Sequence, residues 1–210
     1  MDSSIRSSRN QVQNFGFTLI EAIVIVALNT VLLLVITSTI TQLYKNHSYT
    51  FEQSNEIEVA RKGLGTWVRD AREMTISANG AFALVKAGTS TIGFYSDIDK
   101  DNSVEYVEYV LGATTTLRKY TYNPTASSTY STTTPSLVEI MSEYVQNGPQ
   151  NVVIFKYYDS NGALIAAPQA MISDVTYITM NIIVNIDPVR SPGEFMLQGS
   201  AAPRNLKTNL

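Results

Sequence analysis

Asp97, Asp99, Asp101 and Glu105 place carboxylates at alternate positions of one short segment, and Glu108 stands at the twelfth place counted from Asp97. Alternating acids suit a hard cation. Calcium takes roughly six to eight oxygen ligands, and an EF-hand loop draws them from every second residue and from an acid at its twelfth position. Two features disagree with that motif. Asn102 occupies the place where the loop has glycine, and the flanks, Ile92-Gly93-Phe94-Tyr95 and Val104 to Leu111, have strand composition where an EF-hand has helices. The segment therefore reads as a β-hairpin turn with solvated acids. The alternative is a calcium site of another geometry, held by Asp97, Asp99, Asp101 and Glu105.

Other chemistry is sparse. The chain has one histidine, His47, and no cysteine, so thiolate catalysis, a disulfide framework and a Cys-His metal centre are excluded. No Gly-x-Ser-x-Gly elbow and no glycine-rich phosphate loop is present. A formal charge of -3 argues against a nucleic-acid surface, which needs clustered Lys and Arg. The expectation is a protein that is not an enzyme and has no cofactor. A carboxylate-only hydrolase remains the catalytic alternative, because glycosidase acids are distant in the chain.

Glu21 is the exception to the apolar run FTLIEAIVIVALNTVLLLVITSTITQL, which occupies residues 17–43. As a helix rising 1.5 Å per residue this run covers roughly 40 Å, enough to cross the hydrocarbon core of a bilayer. A carboxylate inside such a span costs on the order of 2.5–3.5 kcal/mol at the centre and less near an end, so an acid kept there is expected to work. Arg6 and Arg9 precede the run, which keeps the first sixteen residues cytoplasmic and exports the chain beyond the span. No small-residue cleavage site comes after the run, so the apolar part is expected to be retained. Asn29 and Thr30 also interrupt it; they either bond neighbouring helices or are simply tolerated.

The residues at its front, Gly16-Phe17-Thr18-Leu19-Ile20-Glu21, closely resemble the type IV prepilin signature. That resemblance implies cleavage after Gly16 by a membrane prepilin peptidase and N-methylation of Phe17. It also implies that Glu21 faces the Phe17 amine of a neighbouring subunit during assembly. The partners implied are other pilins or pseudopilins, the peptidase, the membrane platform of the assembly machine and, before assembly, the lipid bilayer. The kinking proline of many major pilins is missing, since the first proline is Pro124.

Beyond the span, Ile57, Ala60, Leu64, Trp67 or Val68, Ala71 and Met74 recur at three- and four-residue spacing, predicting an amphipathic helical stem over 44–78. Gly63 and Gly65 predict a bend or a close packing contact there, with a break into two helices as the alternative. Trp67 is expected in the core between stem and sheet. From residue 79 the chain turns to short runs of Val, Ile, Thr, Tyr and Phe between Gly, Pro and Asn. Strands are predicted near 81–86, 90–97, 104–111, 115–122, 137–145, 151–158, 163–167, 174–186 and 194–199. Residues 123–136, NPTASSTYSTTTPS, predict an exposed loop. The expected organisation is α+β: a leader over 1–16, a spanning helix over 17–43, the stem, and a β-rich head over 79–210 whose antiparallel sheet wraps the outer part of the helix. WVRDARE at 67–73, IGFYSDIDKDNSVEYVEYVL at 92–111, LRKYTY at 117–122 and FMLQGSAAPRNLK at 195–207 are similar, in order, to the J-type minor pseudopilins and W-type minor pilins. This implies a minor subunit that primes or caps a filament. A signal-anchored calcium- or ligand-binding domain outside any filament is the alternative.

Overall fold

The computed structural model describes residues 16–190 and 193–203. The leader expected over 1–16 lies outside these except for Gly16, as does the end of the closing 195–207 segment beyond Pro203. The fold is α+β: one long helix, α1 (Leu19–Arg72), and eight strands. The strands are β1 (Leu84–Ala87), β2 (Thr91–Ser96), β3 (Glu105–Leu111), β4 (Leu117–Tyr122), β5 (Leu137–Ser142), β6 (Phe155–Tyr158), β7 (Tyr177–Val184) and β8 (Phe195–Ala201). Two compact units meet within α1, one ending at Ser48 and the other starting at Tyr49.

In the first unit α1 is long and apolar enough to cross a membrane, and none of the residues in its most apolar window is buried by the protein. Its polar side chains bond back to their own helix. Asn29 Nδ2 donates to Ile25 O at 2.9 Å, Thr30 Oγ1 to Val26 O at 2.8 Å, and Thr39 Oγ1 to Val35 O at 2.9 Å. A hydroxyl satisfied one turn back asks for no partner in lipid. The Thr30 hydroxyl proton is thus used within the helix, while Asn29 keeps its Oδ1 and one N–H beyond the bond to Ile25.

In the second unit the helix is one-sided as predicted, with Gln53, Ala60, Gly63, Leu64, Trp67, Asp70 and Ala71 buried. The break into two helices does not occur. Gly63 is the close-packing position: a Cβ there would run into the backbone carbonyl of Met141 on β5, so only glycine lets helix and strand touch. Gly65 meets nothing and is exposed. The helix stops at Arg72, six residues short of the predicted end, because Met74 leaves the helical path to bridge Ser96.

The predicted single sheet is two. β1 to β5 form a five-stranded antiparallel meander in sequence order, and β6, β7 and β8 form a separate three-stranded antiparallel sheet. The strand expected at 163–167 is absent. A turn at Asp159–Ala163 leaves one bridge, Tyr158 to Leu164, and Pro168, which has no N–H to give a ladder, starts a 3-10 turn. β1 and β6 begin at Leu84 and Phe155, later than the composition suggests. β5 ends at Ser142, shortly before Tyr144 takes a positive φ of 52°.

The outer part of α1 is the common floor of both sheets. Trp67 is fully buried with its ring 6.0 Å from that of Phe155 on β6, while Leu64 and Val68 lie against Gly199 on β8. The core continues in the inward alternation of the meander, Ile92, Phe94, Val107, Tyr109 and Leu117, and in that of the second sheet, Tyr157, Ile178, Met180 and Ile182. The predicted core role of Trp67 is met. Side-chain amides stitch the far end: Gln53 Nε2 donates to Val184 O at 3.2 Å and Gln53 Oε1 accepts from Ile186 N at 3.0 Å.

Candidate functional site

Three constellations bear on function: the mouth of α1, the acidic hairpin and a charged cluster under the meander.

At the mouth, Gly16, Phe17 and Thr18 precede the first helical residue, Leu19. Thr18 is the N-cap. Its Oγ1 accepts the Glu21 backbone N–H at 3.3 Å and its carbonyl accepts from Ala22 N at 3.1 Å. Thr18-x-x-Glu21 has the spacing of a capping box, which fixes where the helix starts relative to Gly16. Glu21 sits in the first turn, where the helix dipole favours a negative charge. Phe17 is 73% exposed, so the junction after Gly16 is accessible. The sequence nominated Gly16, Phe17 and Glu21 and gave Thr18 no capping role, although the capping spacing was readable.

In the hairpin joining β2 and β3, the strand flanks rule out an EF-hand. The acids are spent on the turn itself. Asp97 accepts from Lys100 N at 2.8 Å and Asn102 N at 3.2 Å, Asp99 from Asp101 N at 3.3 Å, and Asp101 from Ser103 N at 2.7 Å. These bonds hold Lys100 and Asn102 at positive φ, 63° and 69°. Glu105, buried at the foot of β3, accepts from Ile98 N at 3.0 Å. Burial, reinforced by the nearby Asp99, Asp101 and Asp97 charges, pushes its carboxyl above the usual range, the Ile98 bond opposing. One oxygen each from Asp97, Asp99 and Glu105 lies within 4.8 Å of the others, the spacing that could hold a cation. Asp101 is not among the three, so the predicted four-acid set is not brought together. Glu108 is elsewhere, paired with Lys86 at 2.5 Å.

Beneath the meander, Asp70 of α1 receives Lys119 Nζ of β4 at 2.7 Å and the Tyr109 hydroxyl of β3 at 2.8 Å, both on Oδ2. Its Oδ1 accepts from Arg69 at 3.3 Å. Glu139 on β5 stands 3.7 Å from Lys119 Nζ. Burial first, then the Asp70 charge and hydrogen bond, hold the Tyr109 hydroxyl well above its ordinary range, so it stays a donor. Two cations, two carboxylates and one phenol satisfy one another. The arrangement can lock helix to sheet.

No protein-family model matches the chain, and searches of curated proteins and of solved structures return no significant match. His47 is exposed on α1 and is the chain's one histidine, so no imidazole joins any of these clusters.

Proposed function

We propose that the chain is a pilin-like structural subunit of a type IV pilus or type II secretion-like filament, of the minor, J-type or W-type kind. The carrying observation is the accessible Gly16-Phe17 junction set directly before a capped apolar helix whose first turn holds Glu21. On this reading prepilin peptidase removes residues 1–16 and Phe17 becomes the methylated N-terminus. The apolar part of α1 stays in the cytoplasmic membrane until other pilins take it into a helical bundle. The exported head makes subunit contacts, and its role is structural rather than catalytic.

Glu21 gives the bundle its register. Inside packed apolar helices a lone carboxylate or a lone amine is costly, and each is relieved by the other on a neighbouring subunit. The lack of proline before Pro124 and the order of the four head segments support a minor subunit over a major one.

The test is mass spectrometry of the N-terminus from membrane extracts. The reading requires a chain that starts at Phe17 and carries one added methyl group. An intact leader would instead make the protein a head domain tethered by a signal anchor.

A further inference from the structure

The face of the meander turned away from α1 carries a second aromatic cluster. Tyr95, Tyr106 and Tyr122 form it, with Tyr120 and Tyr130 packed against them. Ring centroids lie 5.5 Å apart for Tyr95 and Tyr106, 4.9 Å for Tyr95 and Tyr130, and 5.5 Å for Tyr106 and Tyr122. Beside the cluster opens a cleft of about 630 Å³ lined by Lys86, Tyr95, Tyr106, Glu108, Thr129 and Tyr130, among others. That volume falls within the roughly 300–1,000 Å³ of small-molecule sites.

The cleft is built from fixed parts. Tyr106 lies across Gly93 on the next strand, and any Cβ at 93 would strike its phenol oxygen, so the glycine makes room for the ring. The loop wall is tied down by Tyr130, whose hydroxyl donates to Val104 O at 2.8 Å and accepts from Ala78 N at 3.3 Å. The backbone of the same residue closes the Ser/Thr-rich loop through the Pro124–Tyr130 bridge. On the sheet side Lys86 and Glu108 pair at 2.5 Å, and Glu108 keeps 12% of its side chain exposed.

The lining selects a ligand class. Lys86 and Glu108 cancel, so neither an anion nor a cation is favoured. Among the described residues the hydroxyls of Tyr95 and Tyr106 take no hydrogen-bond partner. Burial raises both phenols above their ordinary range, which keeps them donors at neutral pH. Thr129, Thr132 and Asn79 add further polar groups to the rim. A purely apolar ligand would strand these groups at a cost of about 1–3 kcal/mol for each one buried. A neutral ring with hydroxyls at its edge and C–H bonds on its face satisfies both the phenols and the aromatic wall.

We propose that this cleft binds a neutral saccharide, with Tyr130 against the sugar face and Glu108, Lys86 and the Tyr95 and Tyr106 hydroxyls bonded to the sugar hydroxyls. The proposal is independent of filament assembly and holds equally for a tethered head.

The experiment uses the full chain in an alkylphosphocholine detergent, since glycoside detergents would compete. Methyl glycosides of glucose, galactose, mannose and N-acetylglucosamine are tested by saturation-transfer NMR, and an array of neutral oligosaccharides is probed in parallel. Free glycosides that bind alone identify a soluble sugar as the source, and array binding identifies a surface glycan. In either case Glu108→Gln and Tyr106→Phe, at unchanged melting temperature, weaken binding by roughly tenfold or more, and Tyr177→Ala on the other sheet leaves it unchanged. Silence in both arms overturns the proposal, as does binding that is indifferent to both cleft variants.

Discussion

Asp70 on α1 and Lys119 on β4 meet at 2.7 Å with side chains only 1% and 4% exposed. They are 49 residues apart in sequence, and the pair ties the helix to the fourth strand of the meander. Removing one partner strands a buried charge, at a cost of about 3–5 kcal/mol, whereas replacing both with apolar groups of similar size is often neutral. Asp70→Ala is therefore expected to lose about 3–5 kcal/mol in denaturant titration of the full chain. The double variant Asp70→Leu with Lys119→Met should lose clearly less than Asp70→Ala. Additive losses would show that the two side chains are not coupled.

Gly63 and Gly65 separate packing from propensity within a single turn of helix. Both raise helix content when changed to alanine, by up to about 1 kcal/mol. At Gly65 nothing opposes the added methyl, and Gly65→Ala should leave stability unchanged or improve it slightly. At Gly63 the methyl meets the Met141 carbonyl, which belongs to backbone and cannot swing aside. Gly63→Ala should cost on the order of 1–3 kcal/mol through displacement of β5. Thermal melts of the two variants side by side decide it, and equal melting temperatures would contradict the contact.

Periodicity made the one-sided helix legible, with Ala60, Leu64, Trp67 and Ala71 on one stripe, and composition made most of the strands legible, but not the order in which they pair. The division into two sheets was not legible, since nothing in a run of Val, Ile and Tyr says which neighbour it will pair with. Asp70 carried a signal that went unread. It sits on the apolar stripe between Trp67 and Ala71, and an acid in that position calls for a buried cation. Lys119, inward-facing between Leu117 and Thr121, was the matching half. In the acidic segment the strand flanks identified the hairpin, but alternation alone could not show that Asp101 would turn to Ser103 N instead of joining Asp97, Asp99 and Glu105.

Glu105 gives the fold a pH dependence of known sign. A carboxyl whose folded pKa lies above its unfolded value holds its proton more tightly in the fold. Its stabilising contribution is complete below the usual value of 4.5 and is lost as pH rises through the higher folded value. Glu105→Gln keeps an acceptor for Ile98 N–H and removes the titration. Its melting temperature relative to wild type should improve between pH 4 and pH 7 by about a degree or two. Because the acids already serve the turn's own amides, millimolar calcium at pH 7 should leave the wild-type melting temperature unchanged. A rise of several degrees that disappears in Glu105→Gln would instead make the three carboxylates a cation site.

Glu21, Asn29 and Thr30 are all polar residues of the apolar run, yet they should behave differently in assembly. The Asn29 and Thr30 side chains bond Ile25 O and Val26 O within α1, so alanine at either position removes a bond internal to the helix. Under the filament reading Glu21 has its partner, the Phe17 amine, on another chain. Glu21→Ala should insert into the membrane and lose its leader normally, since the apolar length is unchanged, but its recovery in a sheared filament fraction should fall at least about tenfold, the effect of ~1.4 kcal/mol. Asn29→Ala and Thr30→Ala should be recovered like wild type. Fractionation of cells expressing each variant, with the leader followed by mass, measures insertion, processing and incorporation separately. Normal incorporation of Glu21→Ala would remove the assembly role from this residue while leaving the membrane anchor intact.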